Sequence, residues 1–263
     1  MDTRCRADSI ESFRNTVDDW RRQWGCSGTR VPRYDPRFGI FRGHGDSNWL
    51  LKSKIARLPS SVSGVPRYDI EFSLLTAWMR RASLLRSSRS FDPMDDWEWL
   101  ACAQHHGLAT RLLDWTTEPL IALFFACQHP GTDMDGAVWA ISGTQLPELD
   151  PTLVPVLRSA PIVPDSARDV WLYKPRLDFS ARLAAQCGCF TVQSRATLDL
   201  PTALDLVRPQ RDPLLRCVII PAVAKAGLYA ELHNTAQLSQ ERLFPEPEGL
   251  ARTLQYELGI QRV

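Results

Sequence analysis

The sequence predicts a mixed fold of the α+β class, and three observations carry that expectation. Short strand-like runs are interspersed with longer segments of helical periodicity along the chain. Of the 263 residues, 44 % are hydrophobic and 23 % charged, a composition that supports a buried core and argues against wholesale disorder. No apolar run approaches the ~20 residues that span a bilayer. The opening MDTRCRADSI has no apolar signal core, so a cytoplasmic protein off the membrane is expected. The length is at the upper end of what one core serves. It is read as a helical extension over residues 1–30 and one main domain over 31–263.

The elements follow in order. Ile10, Phe13, Val17 and Trp20 stand near helical spacing within 9–24, an amphipathic helix packed on the domain. Residues 25–38, rich in Gly, Pro and Arg, form a loop. GIFRG at 39–43 is a strand, and HGDSN at 44–48 is turn chemistry. A connection at 59–67 leads into a helix whose stripe is Ile70, Phe72, Leu74, Leu75, Trp78, Ala82 and Leu85. Residues 95–105 form a second helix, with Asp95 and Asp96 where the helix dipole favours negative charge and Gly107 past its end. TRLLDWT at 110–116 is a strand. Thr117 then caps and Pro119 opens a helix that is apolar nearly all round at Leu120, Ile121, Leu123, Phe124 and Phe125, and therefore buried. GAVWAI at 136–141, CFTVQ at 189–193 and RCVIIP at 216–221 are strands. Residues 179–187, 222–232 and 248–258 are helices, and 144–168, with five prolines, is an irregular excursion.

Absent motifs narrow the chemistry. The chain has no GxxxxGK[ST], GxGxxG, HExxH or GxSxG, which argues against phosphate-loop ATPases, dinucleotide-binding doubly wound folds, zincins and α/β-hydrolases. Seven scattered cysteines without a CxxC pair read as reduced thiols, and no metal site is expected. The net charge of +1 demands no polyanionic partner, although only four of the 31 basic residues are lysines. The densest polar segment is 104–117, QHHGLATRLLDWTT, which runs straight into the buried helix. Strand alternation puts Thr110, Leu112, Asp114 and Thr116 on one face, and Arg111, Leu113 and Trp115 on the other. An Asp beside an apolar layer needs a partner, and Arg42 or Arg111 can serve it. His105 and His106 are acid, base or packing residues at a helix end. Gly43, after Arg42, lets something approach the strand closely.

FRG at 41–43, QHHGLATRLLDWTTEPLIALFFA at 104–126, RLAAQCGCFTV at 182–192 and LFPEPEGLA at 243–251 together resemble the bacterial FRG domain family, in that family's order. His106 stands where the family usually has an aromatic residue, and PEPEG stands where PDLEG is typical. The resemblance extends over roughly 40–255 and assigns 31–263 to an FRG domain.

Two segments also resemble the ADP-ribosyltransferase superfamily: Phe41-Arg42-Gly43, and Thr116-Thr117-Glu118-Pro119 with the small residues Ala122 and Ala126. This resemblance implies mixed small β-sheets that form a cleft, flanked by helices, with NAD as substrate. It implies catalytic roles for Arg42, His105, Asp114 and Glu241, with Gln186 as a second candidate for the place of Glu241. It implies NAD-binding roles for Arg42, Gly43, Gln104, Thr110, Arg111, Trp115 and Thr116, with Arg42 on the diphosphate and Trp115 stacked on nicotinamide. The acceptor is a protein or a nucleic acid, and the setting by analogy is a toxin or phage defence. Two other readings fit the same residues. One is a module that binds a nucleotide or phosphorylated ligand without turnover. The other is a nucleic-acid-acting protein, for which an arginine stripe with interleaved aromatics would speak; Arg80, Arg81, Arg86 and Arg89 are the suggestive cluster.

Overall fold

Short apolar runs become strands, and the longer periodic segments become helices that cover them. The computed structural model describes residues 5–26, 35–59, 61–62, 65–82, 84, 95–128, 133–150, 170–176, 180–194, 198–207 and 214–259. In chain order the elements are β1 (Cys5–Arg6), α1 (Ile10–Gln23), β2 (Ile40–His44), β3 (Ser61–Val62), β4 (Val65–Pro66), α2 (Arg67–Ala82), α3 (Asp96–His105), β5 (Leu112–Thr116) and α4 (Pro119–Ala126). They continue with β6 (Gly136–Ile141), β7 (Val170–Tyr173), α5 (Ala181–Ala185), β8 (Gly188–Gln193), α6 (Leu200–Val207), β9 (Leu215–Ile220), α7 (Ala222–Asn234), α8 (Gln240–Leu243) and α9 (Pro247–Glu257). No described helix is long and apolar enough to cross a membrane.

Among the described residues, seven strands form one mixed sheet in the order β1-β9-β6-β2-β5-β8-β7, and β3 and β4 form a separate hairpin. The α+β class holds, but the small sheets expected from the sequence are joined into one. The joint is narrow. β2 pairs with β6 through five residues and β5 pairs with β8 through five, whereas β2 meets β5 only at Phe41 and Thr116. Past that pair the two halves of the sheet diverge. There the Arg42 guanidinium Nη1 donates to the Asp114 carbonyl oxygen at 2.6 Å. A side chain thus supplies the hydrogen bond that a ladder partner would otherwise give.

Helices cover the sheet half by half. α1, α4 and α7 pack on β2, β6 and β9 through Phe13, Val17, Phe41, Phe124, Val138, Val218 and Tyr229. α2 and α3 pack on β5, β8 and β7 through Leu75, Trp97, Leu100, Leu112, Phe190 and Tyr173. On the opposite face α6 covers Ile40, Leu113, Trp115, Leu172 and Cys189. Ile10, Phe13, Val17 and Trp20 of α1 are buried as their spacing requires, and Ser9 caps the helix, its Oγ accepting from the Ser12 N–H at 3.2 Å. β1 lies parallel to β9, so this N-terminal segment joins the same sheet and core.

Several boundaries differ from the expectation for identifiable reasons. β5 begins at Leu112 and not at Thr110, because the Arg111 N–H donates to the Glu71 carboxylate at 2.6 Å. Thr117 does not cap α4. Glu118 holds that position, and the Thr117 hydroxyl turns to the Cys187 carbonyl at 3.4 Å. β1, β7, α6 and α8 are short elements that no periodicity announced. Leu85, Arg86, Arg89 and most of 144–168 lie outside the described residues.

Gly43 explains how tightly α4 seats on β2. A Cβ there would collide with the Ala122 carbonyl, and would lie 2.7 Å from the Ala126 nitrogen and 2.9 Å from the Phe125 Cβ. What approaches Gly43 closely is therefore helix backbone. Gly43→Ala is expected to cost ~1–3 kcal/mol or more, because neither the strand nor the helix can yield without moving the other. Gly227, in α7 with nothing within 4 Å of its would-be Cβ, is the internal control. Gly227→Ala should be neutral or stabilising by up to ~1 kcal/mol. Chemical denaturation of both variants measures the contrast.

Candidate functional site

Where β2 and β5 part, a cavity of about 400 Å³ opens between the two helical layers. β2 contributes Arg42, the end of α3 contributes Gln104 and His105, and mid-β5 contributes Asp114. α4 adds Phe125, the segment following β2 adds Lys52, Lys54 and Arg57, and Arg182 and Gln186 come from α5 and its C-cap.

The polar floor is a connected network. The Thr110 hydroxyl donates to the Gln104 amide oxygen, which fixes the amide so that its Nε2 donates to Asp114 Oδ1 at 2.7 Å. The other carboxylate oxygen lies 3.6 Å from Arg42 Nη1. The Asp114 side chain is 62 % exposed against 18 % for Arg42, so the carboxylate faces the opening and the guanidinium lies beneath. Arg42 Nε also donates to His44 Nε2 at 3.0 Å. Burial, reinforced by the Arg42 charge, lowers the His44 pKa to about 3, so its ring is a neutral acceptor. His105 is likewise neutral near pH 7. Burial first, then His106 and Arg182, lower its pKa to about 4. Its Nδ1 lies 3.3 Å from the Ser180 hydroxyl, and its Nε2 lies 3.8 Å from the Glu246 carboxylate.

The lining is lopsided in charge. Among the described lining residues, Arg42, Lys52, Lys54, Arg57 and Arg182 face one carboxylate, Asp114. Arg182 is held by the Phe244 ring, 4.5 Å from its guanidinium carbon. Burial lowers its pKa, and Glu246 and Asp114 counter that shift. A pocket of this size and sign suits an anionic ligand bearing an organic group.

Residues 38–134 match the model of the FRG domain family. That segment is similar to an FRG domain. Neither a curated protein nor a solved structure matches the chain. The matched segment runs from just before β2 through α4, and so contains the FRG tripeptide together with Lys52, Lys54, Arg57, Gln104, His105, Asp114 and Phe125. The three letters of the FRG motif do different work. Phe41 is fully buried in the core, Arg42 bridges the split sheet, and Gly43 seats α4. Arg182 and Gln186, beyond the matched segment, complete the cavity wall.

Of the residues singled out from sequence, Arg42, Gly43, Gln104, His105, Asp114, Trp115, Thr116 and Gln186 all border this cavity. Several stand differently than expected. Asp114 is paired but exposed, not buried. Trp115 is buried, with its Nε1 donating to Thr191 Oγ1 at 2.9 Å, so it presents no ring for stacking. Phe125, half-buried on α4, is the better placed aromatic. Thr116 Oγ1 accepts from the Glu118 N–H at 3.0 Å and shapes the turn into α4. Arg111 points away, its Nε 2.6 Å from Glu71 in a pair that is 9 % and 4 % exposed. Glu241 is exposed at the start of α8, its N–H on Thr253 Oγ1 at 2.8 Å, and it is not among the lining residues. From the same region Glu246 reaches to within 3.8 Å of His105 Nε2, a lining residue. Gln186 Nε2 donates to the Leu243 carbonyl at 3.0 Å, tying α5 to α8. Lys52, Lys54, Arg57 and Arg182 had not been singled out. Signals exist for three of them: half of the chain's lysines stand at 52 and 54, and Arg182 opens the block RLAAQCGCFTV.

The two acid–base pairs should respond differently to mutation. Glu71→Ala strands the buried Arg111 and is expected to cost ~3–5 kcal/mol. Asp114→Ala removes an exposed partner and should cost about 1 kcal/mol or less. Thermal melts of the two purified variants decide this.

Stability should also fall with acid below neutrality. His44 and His105 have folded pKa values of about 3 and about 4, below the ordinary 6.5, so the unfolded chain binds more protons between those limits. Stability is thus fully present above pH ~6.5 and declines as pH falls, by up to ~1.4 kcal/mol per unit for each ring. His105→Gln should flatten the decline, as read from denaturation midpoints at successive pH values.

Proposed function

We propose that this cleft binds NAD as a substrate and cleaves its nicotinamide–ribose bond, as a transferase of the ADP-ribosyltransferase type or as a hydrolase. The observation that carries the reading is the convergence of five cationic side chains and one accessible carboxylate where the sheet splits. Arg42 and Arg182 are suited to the diphosphate, since a guanidinium offers paired donors to phosphate oxygens. Phe125 offers an apolar ring at the cavity wall for a base or for nicotinamide.

In this reading Asp114 takes the role first given to Glu241. As the nicotinamide N1–ribose C1′ bond breaks, its electron pair leaves with neutral nicotinamide, and positive charge develops on the ribose. A carboxylate held by Gln104 and Arg42 stabilises that charge electrostatically. An acceptor nucleophile, or water, then bonds to C1′ and loses its proton to solvent. His105 stays neutral through this sequence and acts as a hydrogen-bonding wall.

A second reading, recognition of a phosphorylated ligand without turnover, has its own support: both oxygens of Asp114 already have partners, and His105 is a weak base.

Calorimetry with NAD and a nicotinamide-release assay separate the two. Arg42→Ala should weaken binding about tenfold or more, from the loss of a charge-assisted contact worth ~1.5–3 kcal/mol. Asp114→Asn should leave binding nearly intact and lower turnover, because its charge matters mainly in the transition state. NAD binding without nicotinamide release under any acceptor would establish the recognition module. No binding at millimolar NAD would remove the proposal.

A further inference from the structure

We propose that the segment from Gly45 to Arg57, on the rim of the cleft, is a docking site for single-stranded nucleic acid. Its role as the acceptor rests on the transferase reading above; its role as a binding surface does not.

Trp49 and Leu50 are 51 % and 58 % exposed, and of the chain's nine tryptophans Trp49 is the one on the exposed surface. Local geometry holds them outward. The Asn48 N–H donates to Asp46 Oδ1 at 2.8 Å and the Trp49 N–H donates to the Asp46 carbonyl at 3.1 Å, closing a turn. Leu51 is then pulled inward, 2 % exposed, with its carbonyl accepting from the Leu200 N–H at 2.9 Å. The Trp49 ring lies 6.0 Å from the ring of His44, which accepts from the Arg42 Nε, so the indole sits one residue away from the cavity's Arg42.

Basic side chains follow at once. Lys52, Lys54 and Arg57 alternate with the buried Leu51, Ser53 and Ile55 and line the cavity mouth. The Arg57 Nε donates to the Lys52 carbonyl at 3.2 Å, which keeps these cations on one short stretch. Asp46 is the sole acidic residue of the segment, and its oxygens hold the turn.

An exposed aromatic followed by a row of cations matches stacking of an unpaired base with its neighbouring phosphates on Lys and Arg. The combination fits other polymers less well. Cores of protein interfaces are depleted in lysine. A duplex keeps its bases stacked on one another and offers none to Trp49. The cations divide accordingly, with Arg42 and Arg182 inside the cavity and Lys54 and Arg57 exposed at its mouth.

Fluorescence anisotropy with labelled single-stranded DNA and RNA oligonucleotides, at low and at physiological salt, tests the proposal on the full chain. Saturable binding is expected, and an unlabelled duplex of the same sequence should compete weakly. Trp49→Ala should reduce affinity by roughly five- to a hundredfold, the range for losing one stacked base. Lys54→Ala with Arg57→Ala should lower the salt slope by about 0.7 per lost phosphate contact. Trp49 is exposed and outside the cavity lining, so NAD calorimetry on Trp49→Ala should match the parent. Absence of saturable binding, equal affinity in Trp49→Ala, or equal competition by duplex would each overturn the proposal. Oligonucleotide binding without NAD binding would keep the docking site and remove the transferase reading. NAD binding without oligonucleotide binding would do the reverse.

Discussion

A sheet that splits leaves main-chain acceptors without ladder partners, and the rest of this structure depends on how that demand is met. β2 and β5 share one residue pair, and beyond it the Asp114 carbonyl is served by the Arg42 guanidinium. A neutral side chain of that length has too few donors to reach the carbonyl, His44 and the Asp114 carboxylate together. Arg42 is therefore both a structural bridge and the innermost cation of the cavity. The helices accept the divergence because each half of the sheet has its own covering pair, α1 and α4 on one side and α2 and α3 on the other.

The same constraint sets the electrostatics. Two buried carboxylates, Glu71 and Glu98, are engaged by Arg111 and Arg176 away from the cavity. The cavity keeps Asp114 against five cations. Charge of one sign, crowded around about 400 Å³, gives this cleft a positive potential. Burial keeps both nearby histidines neutral and prevents them from adding to that excess.

Much of this arrangement was legible before any coordinates. The buried faces of α1 and α4 follow from periodicity, and the run Gln104–Thr117 does hold the polar floor of the cavity. Other residues misled for physical reasons. Asp114 looked buried because its strand neighbours are apolar, yet the strand lies beside a gap and its outward position reaches solvent. Trp115 looked available for stacking, but alternation directs it under α6. Arg111 looked like a cleft residue, but Glu71, forty positions earlier, claims it. Glu241 was chosen by its place in the chain, and the turn at Phe244–Glu246 brings a different carboxylate towards His105.

The sequence by itself determined the class of fold, the helical faces, the segment similar to the FRG domain and the need of Asp114 for a basic partner, Arg42 or Arg111. Those are local properties, set by periodicity, capping and the cost of leaving a charge alone. Only the tertiary structure decided where the sheet parts, which arginine serves which carboxylate, and that Lys52, Lys54, Arg57 and Arg182 meet around one cavity. Those facts depend on contacts between residues far apart in the chain. Charged side chains carry no periodic signature that tells one distant partner from another.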